Sequence, residues 1–375
     1  MQYLVDSLTA FGKIQNRGML SLVNSLKATT SVFYGDLILR RHGNLWPEII
    51  AMENIVVAHR KAILGKKSMH NIIKFNKNIE NNLLDIQQLL INKTFRTSPY
   101  HAKTIHEPKK RTIYVLPFSP DRIVQHALMN VVTPIWEKLF INDSYACITG
   151  KGIHKGSRRT MEFVRRNKYV LKCDISKYYP SIDQDILMAI IAKKIKCPDT
   201  LWLFDEIVHS FPGGKNVPIG NYTSQWFGNL YLNELDQFIK NELRIRDYIR
   251  YCDDFCIFNN NKVVLRENAL RIKNFISEKL LLKFSKCEVF PVAHGVDFLG
   301  YRHFDNYILL RKSTSKRVRK RLARLPKLYA KGEITAEQYR SSVCSTWGWL
   351  KHANTRNLAV SINFNELLKE VKKIT

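Results

Sequence analysis

Asp253 and Asp254 stand side by side in the run Tyr248-Ile-Arg-Tyr-Cys-Asp-Asp-Phe-Cys-Ile-Phe258, between apolar and aromatic flanks. Such flanks have the composition of two short strands, so the acidic pair is the expected turn of a β-hairpin. Adjacent carboxylates repel one another unless water or a cation neutralises them. A solvated acidic turn is the plainer reading of the pair taken alone. The other reading is a magnesium site, because that ion takes one or two carboxylates and completes its shell with water and phosphate oxygens. A second segment, Tyr169-Val-Leu-Lys-Cys-Asp174-Ile-Ser-Lys-Tyr-Tyr179-Pro-Ser-Ile-Asp183, supplies a third carboxylate where a strand over Tyr169 to Cys173 ends. An Asp at a strand end and an Asp pair on a neighbouring hairpin suit two metal ions about 4 Å apart, the arrangement for in-line displacement at phosphorus. One ion would acidify an attacking hydroxyl and the other would hold a triphosphate. Asp174 and Asp253 are the expected bridging ligands, joined by the backbone carbonyl of Ile175, with Asp254 in a supporting place. Two Mg2+ ions are the expected cofactor, with Mn2+ as a substitute.

Elements must position these groups. A helix is expected to start near Ser181, with Ser181-x-x-Gln184 as a capping box. Ile186, Leu187, Ile190, Ile191 and Ile195 give it an apolar stripe, and Asp183 reads as a helix-start residue rather than a ligand. Tyr178 and Tyr179 are expected to alternate across a strand end, so only one faces the site. From Trp46 to Arg96 helices dominate, with one over Trp46–Ile63 that carries Pro47 in its first turn. Glu80-x-x-Leu83-Leu84-x-Ile86-x-x-Leu89-Leu90 repeats with the 3.6-residue period. Phe211 to Pro218 is a loop, followed by a helix from about Thr223. Residues 1 to about 40 hold two weak helical patterns, around Tyr3–Ile14 and Met19–Leu26.

The chain has 375 residues, of which 60 are Lys or Arg and 32 Asp or Glu, a formal charge of +28. That excess points to a polyanionic partner. It is concentrated in Arg311 to Lys331, which holds ten Lys or Arg and no acid. Val318, Leu322, Leu325 and Leu328 give this stretch helical spacing, with a break expected at Pro326. The seven cysteines form no CxxC pair and the eleven histidines show no zinc spacing. Cys252 and Cys256 read as strand core. No run of eighteen apolar residues or cleavable signal is present, so the expected setting is a reducing cytoplasm, with no membrane.

With both carboxylate segments in hand, the chain resembles the reverse transcriptases, RNA-directed DNA polymerases with a right-hand fold. The likeness is collinear from about Asn44 to Leu367. Lys109-Lys-Arg-Thr-Ile-Tyr-Val-Leu-Pro-Phe-Ser-Pro-Asp-Arg-Ile-Val-Gln-His-Ala127 looks like the first fingers motif and Asp143-Ser-Tyr-Ala-Cys-Ile-Thr-Gly-Lys-Gly-Ile-His154 like the second. Asp174 to Asp183, Pro218 to Asn233, Tyr251 to Phe255, Lys283-Phe-Ser-Lys286 and Val296-Asp-Phe-Leu-Gly-Tyr301 look like the palm motifs. The resemblance implies an α+β fold: fingers over 44–166, a catalytic palm of antiparallel sheet backed by helices over 167–304, a helical thumb over 305–375, and an N-terminal extension over 1–43. Within the family the chain looks most like the enzymes of diversity-generating retroelements, because Ile219 precedes Gly220-x-x-x-Ser224-Gln225 where most relatives have Gln. In those relatives this change accompanies misincorporation opposite template adenines. An Ile side chain makes only shape contacts, whereas a Gln amide reports on pair geometry by hydrogen bonding. Ile148 stands where these relatives usually carry an Arg.

Carried over by position, Lys110 and Arg111 would clamp the incoming triphosphate, and Ile219, Gly220 and Gln225 would line the nucleotide. Tyr179 would be the steric gate that excludes ribonucleotides; its alternative is a core aromatic. Lys286 reads as a general acid for departing pyrophosphate or as a solvated strand lysine. Phe298, Gly300 and Tyr301 would form a primer grip, Gly300 by allowing close backbone approach. Lys316, Arg317, Lys320, Arg321 and Arg324 would grip duplex from the thumb. The implied partners are an RNA template, a DNA primer or cDNA, dNTPs, a noncoding RNA and a small basic accessory protein. A defence-type or retron-like reverse transcriptase copying a dedicated noncoding RNA shares these residues. An RNA-binding scaffold with an idle polymerase site is the alternative from another class.

Overall fold

A computed structural model describes residues 41–105 and 111–373. It has two compact units: the described residues of Met1–Ile135 with Ile182–Leu230, and those of Trp136–Ser181 with Tyr231–Thr375. Residues 182–230 group with the first unit. The expected helical patterns within residues 1–40 lie outside the described residues, as do Lys109 and Lys110.

The first unit begins with α1 (Trp46–Ile50), α2 (Met52–Ala62), α3 (His70–Asn76) and α4 (Ile79–Ile91). The single helix expected over Trp46–Ile63 is two, because Ala51 turns extended (ψ 135°) between them. Of the stripe in α4, Leu83, Ile86 and Leu90 are buried, whereas Leu89 is half-buried and Leu84 exposed. An antiparallel hairpin follows, β1 (His101–Ile105) and β2 (Arg111–Val115), paired from His101↔Val115 to Ile105↔Arg111. The chain continues into α5 (Ile123–Glu137), which runs into the second unit's sequence.

In the second unit α6 (Ile153–Arg166) precedes β3 (Tyr169–Ile175) and the one-turn α7 (Tyr178–Ser181). Tyr178 and Tyr179 therefore sit on a helical turn, not a strand end, and a different cause separates them: Tyr178 is buried and Tyr179 is half-buried. Back in the first unit, α8 (Gln184–Ala192) is capped by Asp183, whose carboxylate accepts from Ile186 N at 3.1 Å. Ser181 is thus not the cap, and Gln184 instead donates to the carbonyls of Phe211 and Asn216. α9 (Pro198–Val208) leads through a loop to α10 (Tyr222–Gln237).

The second unit resumes with β4 (Tyr248–Tyr251), β5 (Asp254–Asn259), α11 (Lys262–Lys279) and β6 (Phe284–Pro291). These strands form one antiparallel sheet in the order β4-β5-β3-β6, with α11 packed on it. A three-stranded antiparallel sheet follows, β7 (Val296–Phe298), β8 (Tyr301–His303) and β9 (Ile308–Leu310). Then come α12 (Lys312–Ala330), α13 (Ala336–Lys351), α14 (Arg356–Ser361) and α15 (Phe364–Lys373). α12 runs unbroken through Pro326, since Leu322 and Leu325 anchor it in a core with Tyr339, Val343 and Phe364. α13 opens on a capping box in which Thr335 and Gln338 serve each other's backbone. The fold is α+β with antiparallel sheets, and no helix among the described residues is long and apolar enough to cross a membrane.

Candidate active site

Register brings the carboxylates together inside the second unit. Asp254 opens β5 directly opposite Asp174 near the end of β3, and on the other side of Asp174 its partner on β6 is Lys286. Residues opposite one another in an antiparallel sheet project to the same face, so Asp254, Asp174 and Lys286 form a row across three strands. Tyr251 pairs with Asp254, which leaves Cys252 and Asp253 as the hairpin turn. The expected Asp-Asp turn is therefore shifted by one residue, because β5 begins at the second carboxylate. Cys252 is a turn residue at φ 54° rather than strand core, whereas Cys256 is fully buried as expected.

Asp254 lies partly enclosed between β3 and β4. Its Oδ1 is buried and has no hydrogen-bond partner, and its Oδ2 lies 3.5 Å from Lys172 Nζ. Burial pushes its pKa up to about 7, with Lys172 pulling it down and Asp174 pushing it up. An orphaned buried carboxylate oxygen beside a second carboxylate is a donor set that a hard divalent cation satisfies. No three His, Cys, Asp or Glu side chains among the described residues form a ready cage. The residues fit an ion that draws the rest of its shell from water and phosphate.

Side chains that motif spacing did not single out hold this arrangement. Ser285 Oγ donates to Asp174, reaching both its backbone carbonyl (3.1 Å) and its Oδ2. Lys172 also donates to the Asp297 carbonyl, and Arg311 Nε pairs with Asp297 Oδ1 at 2.5 Å. Lys172 lies two residues before Asp174 and so shares its face, a signal the strand period carries. Ser285 sits 111 residues from Asp174 in the chain, and no local pattern could reveal it.

Tyr179 lies beside the turn: burial, then Cys252, Cys147 and Asp253, keep its hydroxyl protonated. Lys286 is exposed and its Nζ lies 2.9 Å from Glu288. The side chains of Phe298 and Tyr301 are wholly enclosed. Gly300 meets a steric demand: at φ 82°, a Cβ there would meet the Trp349 ring at 2.8 Å. Tyr301 stacks on that same ring, 5.3 Å between centroids. Lys316, Arg317, Lys320, Arg321 and Arg324 are all exposed along α12.

In the first unit, Arg111 is exposed on β2. Tyr114 N donates to the Ile219 carbonyl at 3.1 Å, and Arg122 Nη2 donates to the Gly220 carbonyl at 2.8 Å. Gly220 has φ 130°, and a Cβ on it would lie 2.5 Å from the Tyr114 carbonyl oxygen, so glycine is required. Ile219 is half-buried and Gln225 exposed.

Comparison with known proteins matches residues 102–303, over half of the chain, to the family described as reverse transcriptase (RNA-dependent DNA polymerase). The chain is 25% identical over 279 residues to the Retron Ec73 reverse transcriptase of Escherichia coli, covering 66% of this chain and 86% of that one. It is 26% identical over 255 residues to Protein YkfC of E. coli K12, covering 54% of this chain and 67% of that one. It also matches an uncharacterized 91 kDa protein in cob intron of Schizosaccharomyces pombe, 28% identical over 136 residues, 34% of this chain and 17% of that one.

Proposed function

The chain belongs to the reverse transcriptase family of RNA-directed DNA polymerases, and on that premise we propose that it extends a DNA primer on an RNA template by two-metal phosphoryl transfer at Asp174, Asp253 and Asp254. The observation that carries this reading is the unpartnered, buried Oδ1 of Asp254, directly across the sheet from Asp174. These three carboxylates and the Ile175 carbonyl would hold the ions, Mg2+ with Mn2+ as a substitute. Bound divalent cations supply acidification of the primer hydroxyl and neutralisation of charge on the triphosphate. The protein's own part is positioning. Ser285 turns the Asp174 carboxylate, and Lys172 draws Asp254 by its Oδ2. Tyr179 would gate the sugar, and Lys286 would protonate pyrophosphate once freed from Glu288. Lys110, Arg111, Ile219, Gly220 and Gln225 are assigned to the incoming nucleotide. The exposed bases of α12, Lys316, Arg317, Lys320, Arg321 and Arg324, are assigned to duplex. Fingers over 44–166, palm over 167–304 and thumb over 305–375 is the division that goes with these roles.

Ile219 favours mutagenic copying of the diversity-generating kind. A second reading, a retron-like enzyme copying a dedicated noncoding RNA in a bacterial cytoplasm, is favoured by the similarity to the Retron Ec73 reverse transcriptase. One experiment addresses both: sequencing the cDNA that the wild type and Asp253→Ala make on the co-purifying RNA, with Mg2+ and dNTPs. The expected result is cDNA from the wild type alone. Errors concentrated at template adenines support the first reading, and faithful copying of one structured RNA the second. No cDNA from an RNA-loaded wild type would favour a scaffold whose site is idle.

A further inference from the structure

Arg250, two residues before the hairpin turn, is wholly buried together with Asp236. Its Nε donates to Asp236 Oδ1 at 2.8 Å and its Nη2 to Oδ2 at 2.5 Å, a bidentate fork. Tyr248 adds its hydroxyl to Asp236 Oδ1 at 2.6 Å. A fully enclosed ion pair contributes little net stability, since desolvation offsets the attraction, and a well-packed apolar pair serves as well or better. The pair therefore invites a reason beyond stability. The third arm of the guanidinium supplies one: Nη1 donates to the Cys252 carbonyl at 3.1 Å.

Cys252 is the first residue of the two-residue turn and sits at φ 54°, a region that costs a residue with a Cβ about 1–2 kcal/mol. Such backbone persists only where its surroundings over-determine it. The peptide that Arg250 grips is the one joining Cys252 to Asp253. The grip is itself anchored, because Arg250 N donates to the Asp143 carbonyl and its carbonyl accepts from Tyr145 N, both at 3.0 Å. We propose that Arg250, braced by Asp236, is a positioning residue that holds the strained Cys252–Asp253 peptide and so aims Asp253 at the metal site. This rests on the two-metal reading of that site. Lysine cannot replace it, for one ammonium cannot fork onto Asp236 and also reach the Cys252 carbonyl.

The test compares wild type, Arg250→Lys, and the apolar triple variant Arg250→Met/Asp236→Leu/Tyr248→Phe, which leaves no buried charge should the lysine variant fold poorly. For each, Mn2+ affinity is measured by electron paramagnetic resonance on the full-length protein. Melting temperature, and the Mg2+ and dNTP dependence of single-nucleotide addition, are measured beside it. Misaiming Asp253 is expected to weaken Mn2+ binding and raise the half-saturating Mg2+ about tenfold. It should lower kcat about 10²-fold while KM for dNTP stays near wild type. A merely structural role lowers the melting temperature and the active fraction but moves neither metal constant. Unchanged Mn2+ affinity in a folded variant overturns the proposal. A wild type that binds Mn2+ yet makes no DNA overturns the polymerase reading instead, and the Mn2+ comparison still decides the role of Arg250.

Discussion

Ser285 enters the proposed site through its hydrogen bonds to Asp174. Its hydroxyl fixes one oxygen of Asp174, and groups that orient ligands from behind are worth about 10- to 100-fold in metal affinity or activity. Ser285→Ala should show a loss in that range in an Mn2+ titration, with the melting temperature unchanged; equal affinity would make Ser285 an ordinary strand residue. At Ile219 the prediction concerns fidelity rather than rate. Ile219→Gln on a defined RNA should lower misincorporation at template adenines, and an unchanged error spectrum counts against the mutagenic reading. Gly220 lies next to it under a purely steric rule, the Tyr114 carbonyl leaving no room for a Cβ.

The β7–β8 hairpin shows how an element ties its neighbours. Both turn residues, Leu299 and Gly300, have positive φ (56° and 82°), as the tightest hairpins require, and the turn packs under Trp349 of α13. Gly300→Ala is expected to cost about 1–3 kcal/mol in urea unfolding. Adding Trp349→Leu should recover the steric part and leave about 1 kcal/mol for the backbone; a strictly additive double variant would show that no clash exists. Next to it, His303 on β8 donates through Nδ1 to the Val296 carbonyl (3.1 Å) while its Nε2 faces Ser157 Oγ at 2.7 Å. Burial, aided by His352 and Lys172 and opposed by the Val296 bond and Asp297, lowers its pKa to about 4. The unfolded chain therefore binds a proton that the folded chain refuses between about pH 6.5 and 4. The resulting stability is present above pH 6.5 and is lost as pH falls through that window. Between pH 7 and 5 the loss should be about 2 kcal/mol, and His303→Gln should flatten it when urea midpoints are compared.

On the scale of the whole chain, a charge of +28 sets how it meets nucleic acid. Binding of RNA or an RNA–DNA duplex should weaken steeply with salt, with a log–log slope of about 0.7–0.9 per phosphate contact. Reversing Lys316, Lys320 and Arg324 to Glu should lower that slope by about 2–3, without altering the Mn2+ affinity of the carboxylate site. An unchanged slope would leave α12 as a solvated face. The three side chains are exposed on a helix whose buried edge is secured by Leu322 and Leu325, so the charges can be reversed without touching the core.

The sequence by itself marked the three carboxylates, the strand that ends at Asp174, most of the stripe of α4, the basic helix and the family. All of these are written in residues a few positions apart, where strand and helix periods act. It misjudged the start of α8, the strand beginning at Asp254, the division of Trp46–Ile63 and the passage of α12 through Pro326. In each of these a cap, a cross-strand pair or a packed neighbour outweighed local preference. Only the tertiary structure decided that Asp254 faces Asp174, that Ser285 and Lys172 bond to them, that Arg250 joins the Cys252 carbonyl to Asp236, and that the side chains of Phe298 and Tyr301 are enclosed. Cross-strand register and buried hydrogen bonds join residues far apart in the chain, and their partners are chosen by which groups are enclosed together, a quantity no single segment contains.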